Sequence, residues 1–257
     1  MDAVILAGGL NSGALRRVSS AQYEAEIEIA GHPMLDYVIL ALKKVAEIKR
    51  IVVVGPENVL SAAAKEQITV LIGPGGSVID SLNNGLKALQ TEEPILVLTS
   101  DIPLITREAL QDFLQRCRQR NGDIYYSFVS REVNEAKYPG VQRTYVKLRE
   151  GVFTGGNLLL LSPRVVRNHM SKLDKAASLR KKPIQLCRML GWKYLFKLIT
   201  GRLTIREIEE RVARLLNLVP VGIISPYPEV GIDVDKPSDL ALACEVLTRT
   251  HGEIIRR

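Results

Sequence analysis

The chain is poor in the residues that build thiolate metal centres and disulfide frameworks. Its three cysteines, Cys117, Cys187 and Cys244, are scattered without a C-x-x-C pair, which argues against a zinc site and a stapled extracellular fold and fits a reducing compartment. The three histidines, His32, His169 and His251, are too few for a histidine-rich metal centre. Aromatic residues make up 5% of the chain, and no RNP-like or helix-turn-helix signature accompanies them, so a nucleic-acid partner is not expected. No apolar run reaches the length of a membrane span, and the run behind Asp2 is shorter than a signal-peptide core. A cytoplasmic protein is the expectation.

What is present is an ordinary globular composition, 46% hydrophobic and 25% charged over 257 residues, enough for one large α/β domain. Acid is scarce in one region. From Arg164 to Arg206 twelve basic residues face the single acid Asp174. That local excess of +11 is larger than the net charge of +7 for the whole chain, so the segment is either solvated surface or a complement to something anionic.

The N-terminal line carries the first chemical signal. An apolar run, Ala3 to Leu6, breaks into Ala7-Gly8-Gly9-Leu10-Asn11-Ser12-Gly13, followed by Arg16 and Arg17. Glycines let successive backbone N–H groups turn toward an anion, and guanidinium groups neutralise it. The spacing is not that of a dinucleotide fingerprint, and Ala14-Leu15 stand where a P-loop needs Lys-Ser or Lys-Thr. By itself such a Gly-Gly turn serves backbone needs as readily as phosphate binding.

Apolar runs and amphipathic stretches alternate through the first half. Strands are expected at Asp2–Leu6, Arg50–Val54, Ile68–Ile72 and Pro94–Thr99, with helices at Met34–Glu47, Ser77–Gln90 and Arg107–Arg120. This alternation predicts a mostly parallel, Rossmann-like α/β sheet with helices on both faces and ligands at the carboxyl ends of its strands. Asp123–Ser130, Val141–Leu148 and Asn157–Leu161 read as strands without long helices between them. Pro163 to Leu218 reads as helical, Glu229–Asp235 as a last strand, and Pro237 opens a terminal helix. The expectation is a single domain over 1–257 carrying a basic helical insertion at about 164–218.

Two acidic motifs complement the loop: Thr99-Ser100-Asp101-Ile102-Pro103-Leu104, and Gly231-Ile232-Asp233-Val234-Asp235-Lys236-Pro237-Ser238-Asp239-Leu240. Each acid could be a helix N-cap. Together with a phosphate loop, carboxylates at strand ends suit Mg²⁺, which takes one or two acidic ligands and bridges to substrate phosphates.

The succession of LAGG, GPGG before a helix, TSDIPL, TGGN and DVDKPSDL resembles the MobA-like NTP transferase family, relatives of the sugar-phosphate nucleotidyltransferases. The resemblance implies the nucleotide-diphospho-sugar transferase type of fold. It also implies transfer of a nucleoside monophosphate from a nucleoside triphosphate to a phosphorylated small-molecule acceptor, with release of pyrophosphate. Carried over, Ala7, Gly8, Gly9 and Arg16 would hold the triphosphate, Gly75 and Gly76 would lie near base and ribose, and Asp101 and Asp235 would bind Mg²⁺. Gly155-Gly156-Asn157 looks like an acceptor loop. The chain departs from the family pattern where Glu24 stands in place of a lysine and Gly31-His32-Pro33 in place of Gly-Lys-Pro. Arg17, or Lys181 within Arg180-Lys181-Lys182, could supply the missing charge. The alternation of Glu24, Glu26 and Glu28 with apolar residues predicts a strand edge with all three glutamates toward solvent. A catalytically inactive nucleotide-binding regulator of the same fold is the competing reading, and Glu24 speaks for it.

Other residues carry two readings. Arg143 is a substrate clamp or a snorkelling strand arginine, and Gly155-Gly156 could be a bulge. The stretch Leu190–Ile199, with the sole tryptophan and alternating lysines, is read as core or dimer contact in preference to a peripheral membrane helix.

Overall fold

The computed structural model describes residues 1–179 and 181–255, the last six of these by backbone only. Arg180 of the basic triplet therefore lies outside the described residues. The strands are β1 (Asp2–Leu6), β2 (Glu28–Ile29), β3 (His32–Pro33), β4 (Arg50–Val54), β5 (Val70–Ile72), β6 (Ile95–Thr99), β7 (Ile124–Ser130), β8 (Val146–Leu148), β9 (Gly151–Leu161) and β10 (Pro220–Ser225). The helices are α1 (Met34–Lys43), α2 (Ala62–Lys65), α3 (Val78–Leu89), α4 (Arg107–Arg118), α5 (Arg131–Lys137), α6 (Pro163–Ser178), α7 (Pro183–Leu190), α8 (Trp192–Ile199), α9 (Ile205–Leu216) and α10 (Pro237–Ile255).

Eight strands form one sheet in the order β10-β7-β9-β6-β1-β4-β5, with β8 paired to β9. β1 runs parallel to β4 and β6, and β4 to β5, whereas β9 is antiparallel to both β6 and β7. Period-two alternation in β1 explains the two cores. Ala3 and Ile5 face α1 and α4, meeting Leu35, Val38, Leu110 and Phe113. Val4 faces the opposite layer, where α3 and α6 bring Leu82, Leu86 and Val166. Local signals set the helix starts: Ser77 Oγ accepts from the Asp80 N–H at 3.1 Å, and Thr106 Oγ1 from the Ala109 N–H at 3.2 Å.

Several expectations are corrected. The first helix ends at Lys43, four residues before Glu47, because the chain turns through a cap at Lys44. Val141–Leu148 shrinks to the three residues of β8, and the helix α5, capped by Ser130, follows β7 directly. Gly155, Gly156 and Asn157 lie inside the eleven-residue strand β9 and form no loop. Glu229–Asp235 is not a strand: a 3₁₀ turn, Pro228–Gly231, leads into irregular chain. The last strand is instead β10, at the sheet edge, where Pro220 as first residue costs no ladder bond. Glu24 and Glu26 belong to a 3₁₀ turn rather than a strand edge, which removes the period-two argument for their facing solvent.

The basic segment folds as α6 to α9. Within α8, Leu195 is buried and Tyr194 and Leu198 pack with it against Leu148, Phe153, Cys187 and Leu203. Trp192, Phe196 and Ile199 are 70%, 66% and 72% exposed, so of the expected core or dimer contact the core reading holds for the inner face alone.

Candidate active site

The parallel strands bring their carboxyl ends together at one rim, and the loops leaving them are stitched by backbone bonds. Ala7 N–H donates to Val54 O at 2.8 Å and Ser100 N–H to Leu6 O at 3.1 Å. The glycine loop leaves β1 here. Gly8 packs so closely on Pro74 that a Cβ would lie 3.1 Å from it. The rest of the loop is tied to itself: Asn11 Nδ2 donates to Ser19 O and Ala21 O, and Arg16 Nη1 donates to Ser20 O at 2.9 Å and Ala21 O at 2.8 Å. Arg16 thus braces its own loop, and Arg17 stands exposed beside it. Gly75 is demanded by packing against α3, since a Cβ there would come within 2.5 Å of Asp80 Cβ. Its N–H donates to Ser81 Oγ at 3.0 Å.

Asp101 follows β6 and is almost fully buried. Its carbonyl accepts from Val234 N–H at 2.8 Å, which carries Asp233 and Asp235 to its side. Carboxylate oxygens of Asp101, Asp233 and Asp235 lie within 4.8 Å of one another. Among the described residues, Asp101 Oδ1 is buried without a hydrogen-bond partner. A buried, unpartnered carboxylate oxygen facing two further carboxylates is costly unless a cation joins it. An all-oxygen donor set of this kind suits Mg²⁺ or another hard divalent ion.

The acidic segment is held from behind by Arg143. Its Nη2 donates to Asp233 O at 2.6 Å, and its Nη1 lies 3.3 Å from both Asp233 Oδ1 and Asp239 Oδ2. Asp239 in turn accepts from Asp235 N–H at 3.2 Å. Arg143 is therefore a brace between the acidic segment and the first turn of α10, a third role that neither sequence reading offered. From the front, Lys181 pairs with Asp235 and lies 3.4 Å from Asp233 Oδ2.

Charges follow from this crowding. Burial, then the Asp101 and Asp235 charges, raise Asp233 to about 7. Burial opposes ionisation of Asp235 too, but the hydrogen bonds from Lys181 and Asp233 win and hold it below the usual carboxylate range. Glu24 is also drawn in: burial, with Asp101 and Asp235 nearby, pushes it up to about 7. The expectation that Glu24 faces solvent with Glu26 and Glu28 is thus overturned, because the 3₁₀ turn sets its carboxylate against Gly9.

Beside the carboxylates opens a cleft of about 370 Å³, lined by Arg143, Gly155, Gly156, Asn157, Lys181, Asp233 and Asp235 among others. Side chains at Gly155 and Gly156 would strike Tyr126 and Ser127 of β7. The two glycines sit at a register shift between Tyr126 and Phe128, where Ser127 Oγ exchanges hydrogen bonds with Leu158; this is the bulge reading of the sequence. Asn157 Nδ2 donates to Val230 O at 3.3 Å, tying β9 to the turn that precedes Asp233. Sequence reasoning quoted Asp233 but gave it no role. The D-x-D alternation around Val234 was the available signal, because it puts both carboxylates on one side of an extended chain.

A mixed, mostly parallel sheet with a glycine loop and a carboxylate cluster at one rim is the architecture of the nucleotide-diphospho-sugar transferase type of α/β fold. The sequence matches the MobA-like NTP transferase domain over residues 3–184. The chain belongs to the MobA-like NTP transferase family. It is similar to a hypothetical transferase from Thermus thermophilus, with 36% identity, 93% of this chain and 98% of that chain covered, and a TM-score of 0.80. The fold is shared with a CMP:2-keto-3-deoxy-manno-octonic acid synthetase solved with CTP, at 13% identity, 96% and 98% coverage and a TM-score of 0.57. It is shared also with molybdopterin-guanine dinucleotide biosynthesis protein A from Archaeoglobus fulgidus, at 13% identity, 97% and 100% coverage and a TM-score of 0.52. Among curated protein sequences none matches the chain significantly. No helix among the described residues is long and apolar enough to cross a membrane.

Proposed function

We propose that the protein transfers a nucleoside monophosphate from a nucleoside triphosphate to a phosphorylated small molecule, releasing pyrophosphate. The observation that carries this reading is the meeting of Asp101, Asp233 and Asp235 around the unpartnered Asp101 Oδ1. The glycine loop at Gly8 and Gly9, which follows Ala7 at the end of β1, offers the triphosphate a backbone cradle, and Gly76, next to the tightly packed Gly75, leaves room beside it for the nucleoside. An oxygen of the acceptor phosphate attacks the α-phosphorus, the bond from that phosphorus to the β-phosphate oxygen breaks, and pyrophosphate leaves with the electron pair. No protein nucleophile is needed, so the residues act by position and charge. Asp101 and Asp235, with Asp233, would hold Mg²⁺, which when bound neutralises charge on the reacting phosphates. Arg143 keeps the acidic segment in register, and Lys181 presents an ammonium at the mouth of the cleft for an anionic acceptor. Gly155, Gly156 and Asn157 shape the acceptor side.

A second reading, nucleotide binding without turnover, is favoured by Glu24, whose carboxylate stands beside the phosphate cradle. Pyrophosphate release separates the two. Mg²⁺ with each of the four common ribonucleoside triphosphates is screened for thermal stabilisation, and the best binder is then assayed with phosphorylated sugars and alcohols. Asp101→Asn is expected to abolish metal-dependent release with an unchanged circular dichroism spectrum. Full activity of that variant refutes the metal assignment, and tight binding without release from any acceptor favours the regulator.

A further inference from the structure

We infer that α7 and α8 form a docking surface for an anionic membrane. The inner side of α8 is already satisfied by the core around Leu195. Its outer side carries Trp192, Phe196 and Ile199, all at least 66% exposed, and at helical periodicity the three fall within about 60° of one another. Ile184 on the preceding helix α7 is 62% exposed as well. Other exposed large hydrophobic residues are scattered singly along the chain, such as Leu10, Leu40 and Val78, which is ordinary for a soluble surface. Three on one face of a single helix, with a fourth on the helix before it, are not.

Charge decides what covers it. Arg188 shares the exposed face of α7 with Ile184 and lies 5.1 Å from the Trp192 ring centroid. Lys182, Lys193 and Arg202, close to these residues in sequence, are exposed, and the whole 164–206 segment holds one acid. An isologous contact between two copies would bring these cations together, which opposes a dimer through this face. A bilayer surface bearing anionic lipid satisfies both halves: tryptophan and phenylalanine enter the interfacial zone while lysine and arginine reach the phosphates. The inference stands apart from the proposed chemistry, because no residue of the patch lines the cleft.

The test uses the full chain with vesicles of phosphatidylcholine alone and with about 30% phosphatidylglycerol added. Trp192 is the sole tryptophan, so its emission reports on this patch directly. Sedimentation with the phosphatidylglycerol vesicles, a blue shift of Trp192 emission, and release by about 1 M salt are expected. Phe196→Ser with Ile199→Ser should lower the partition about ten-fold or more without altering nucleotide-induced thermal stabilisation. Lys193→Glu with Arg202→Glu should also weaken binding. Retention of the wild-type protein in the supernatant with phosphatidylglycerol vesicles overturns the inference. A blue shift that follows protein concentration and ignores lipid overturns it in favour of a second copy.

Discussion

Glu24 and Gly9 hold each other at the mouth of the glycine loop that follows β1. The Glu24 N–H donates to the Gly9 carbonyl at 2.9 Å, and Glu24 Oε2 lies 3.2 Å from where a Cβ on Gly9 would stand. A carboxylate is thereby fixed beside the peptide groups that would meet an incoming triphosphate. With Glu24 raised to about 7, the repulsion depends on pH. At pH 6 the group is largely protonated and Glu24→Gln should change triphosphate affinity little. At pH 8 it is ionised, and the same substitution should tighten binding about ten-fold. Isothermal titration at the two pH values checks this; equal effects at both would remove Glu24 from the phosphate site.

The Arg143 guanidinium lies between two buried carboxylates, Asp233 and Asp239, and its own side chain is 7% exposed. Replacing it by leucine leaves buried Asp239 without its cation and Asp233 with Lys181 alone, and breaking such a buried pair costs about 3–5 kcal/mol. For a chain of this size that corresponds to a fall in Tm of roughly 10 °C. Metal affinity should fall as well, because Asp233 loses its brace. A variant with parental Tm would mean the segment is held by something else.

How far the sequence foretold the molecule can be judged from these residues. The β1 to β6 half was legible because its strands are apolar, its helices amphipathic and its caps local; Ser77 and Thr106 announce their helices within three residues. What failed were elements fixed by distant partners. β10 begins with proline and contains glycine, so only its pairing along β7 makes it a strand. Glu24 alternates with apolar neighbours as in a strand, yet a 3₁₀ turn bonded to Gly9 decides its direction. Asp101 and Asp235 were legible from their motifs. Lys181 was singled out as charge, but its pairing with both Asp233 and Asp235 depends on how α6 and α7 pack, which no local pattern encodes.

Lys181 should compete with a divalent ion for Asp233 and Asp235. Lys181→Ala is expected to raise affinity for Mn²⁺ or Mg²⁺ alone about ten-fold, since a cation no longer has to be displaced. With triphosphate and acceptor the same variant should turn over more slowly, with most of the loss in the acceptor KM. Weaker binding of the ion alone would contradict the competition.

Metal-free stability should fall with rising pH. Asp233 and Glu24 are both raised to about 7 in the fold against ordinary carboxyl values near 4 when unfolded. Below the unfolded value no penalty exists. Between about pH 4 and 7 the unfolded chain loses protons that the folded chain retains, so stability declines through this window. Differential scanning fluorimetry in chelator should show Tm dropping from pH 5 to pH 7.5 by roughly 10 °C. Added Mg²⁺ should restore more at the upper end than at the lower. A flat chelator profile would show that the carboxylates find counter-charge elsewhere.

The stitch between Asp101 and Val234 has a consequence for biogenesis. The three carboxylates come from segments separated by more than half the chain, and Asp239 in the helix that follows accepts from the Asp235 N–H and shares Arg143 with Asp233. On a ribosome the glycine loop and Asp101 emerge long before their partners. The nascent chain therefore presents Asp101 alone, with no cluster to retain an ion, until β10 and the first turn of α10 have left the exit tunnel. Metal capture is postponed to the end of synthesis, and a chain stalled after β9 would carry most of the parallel sheet while remaining blind to the ion.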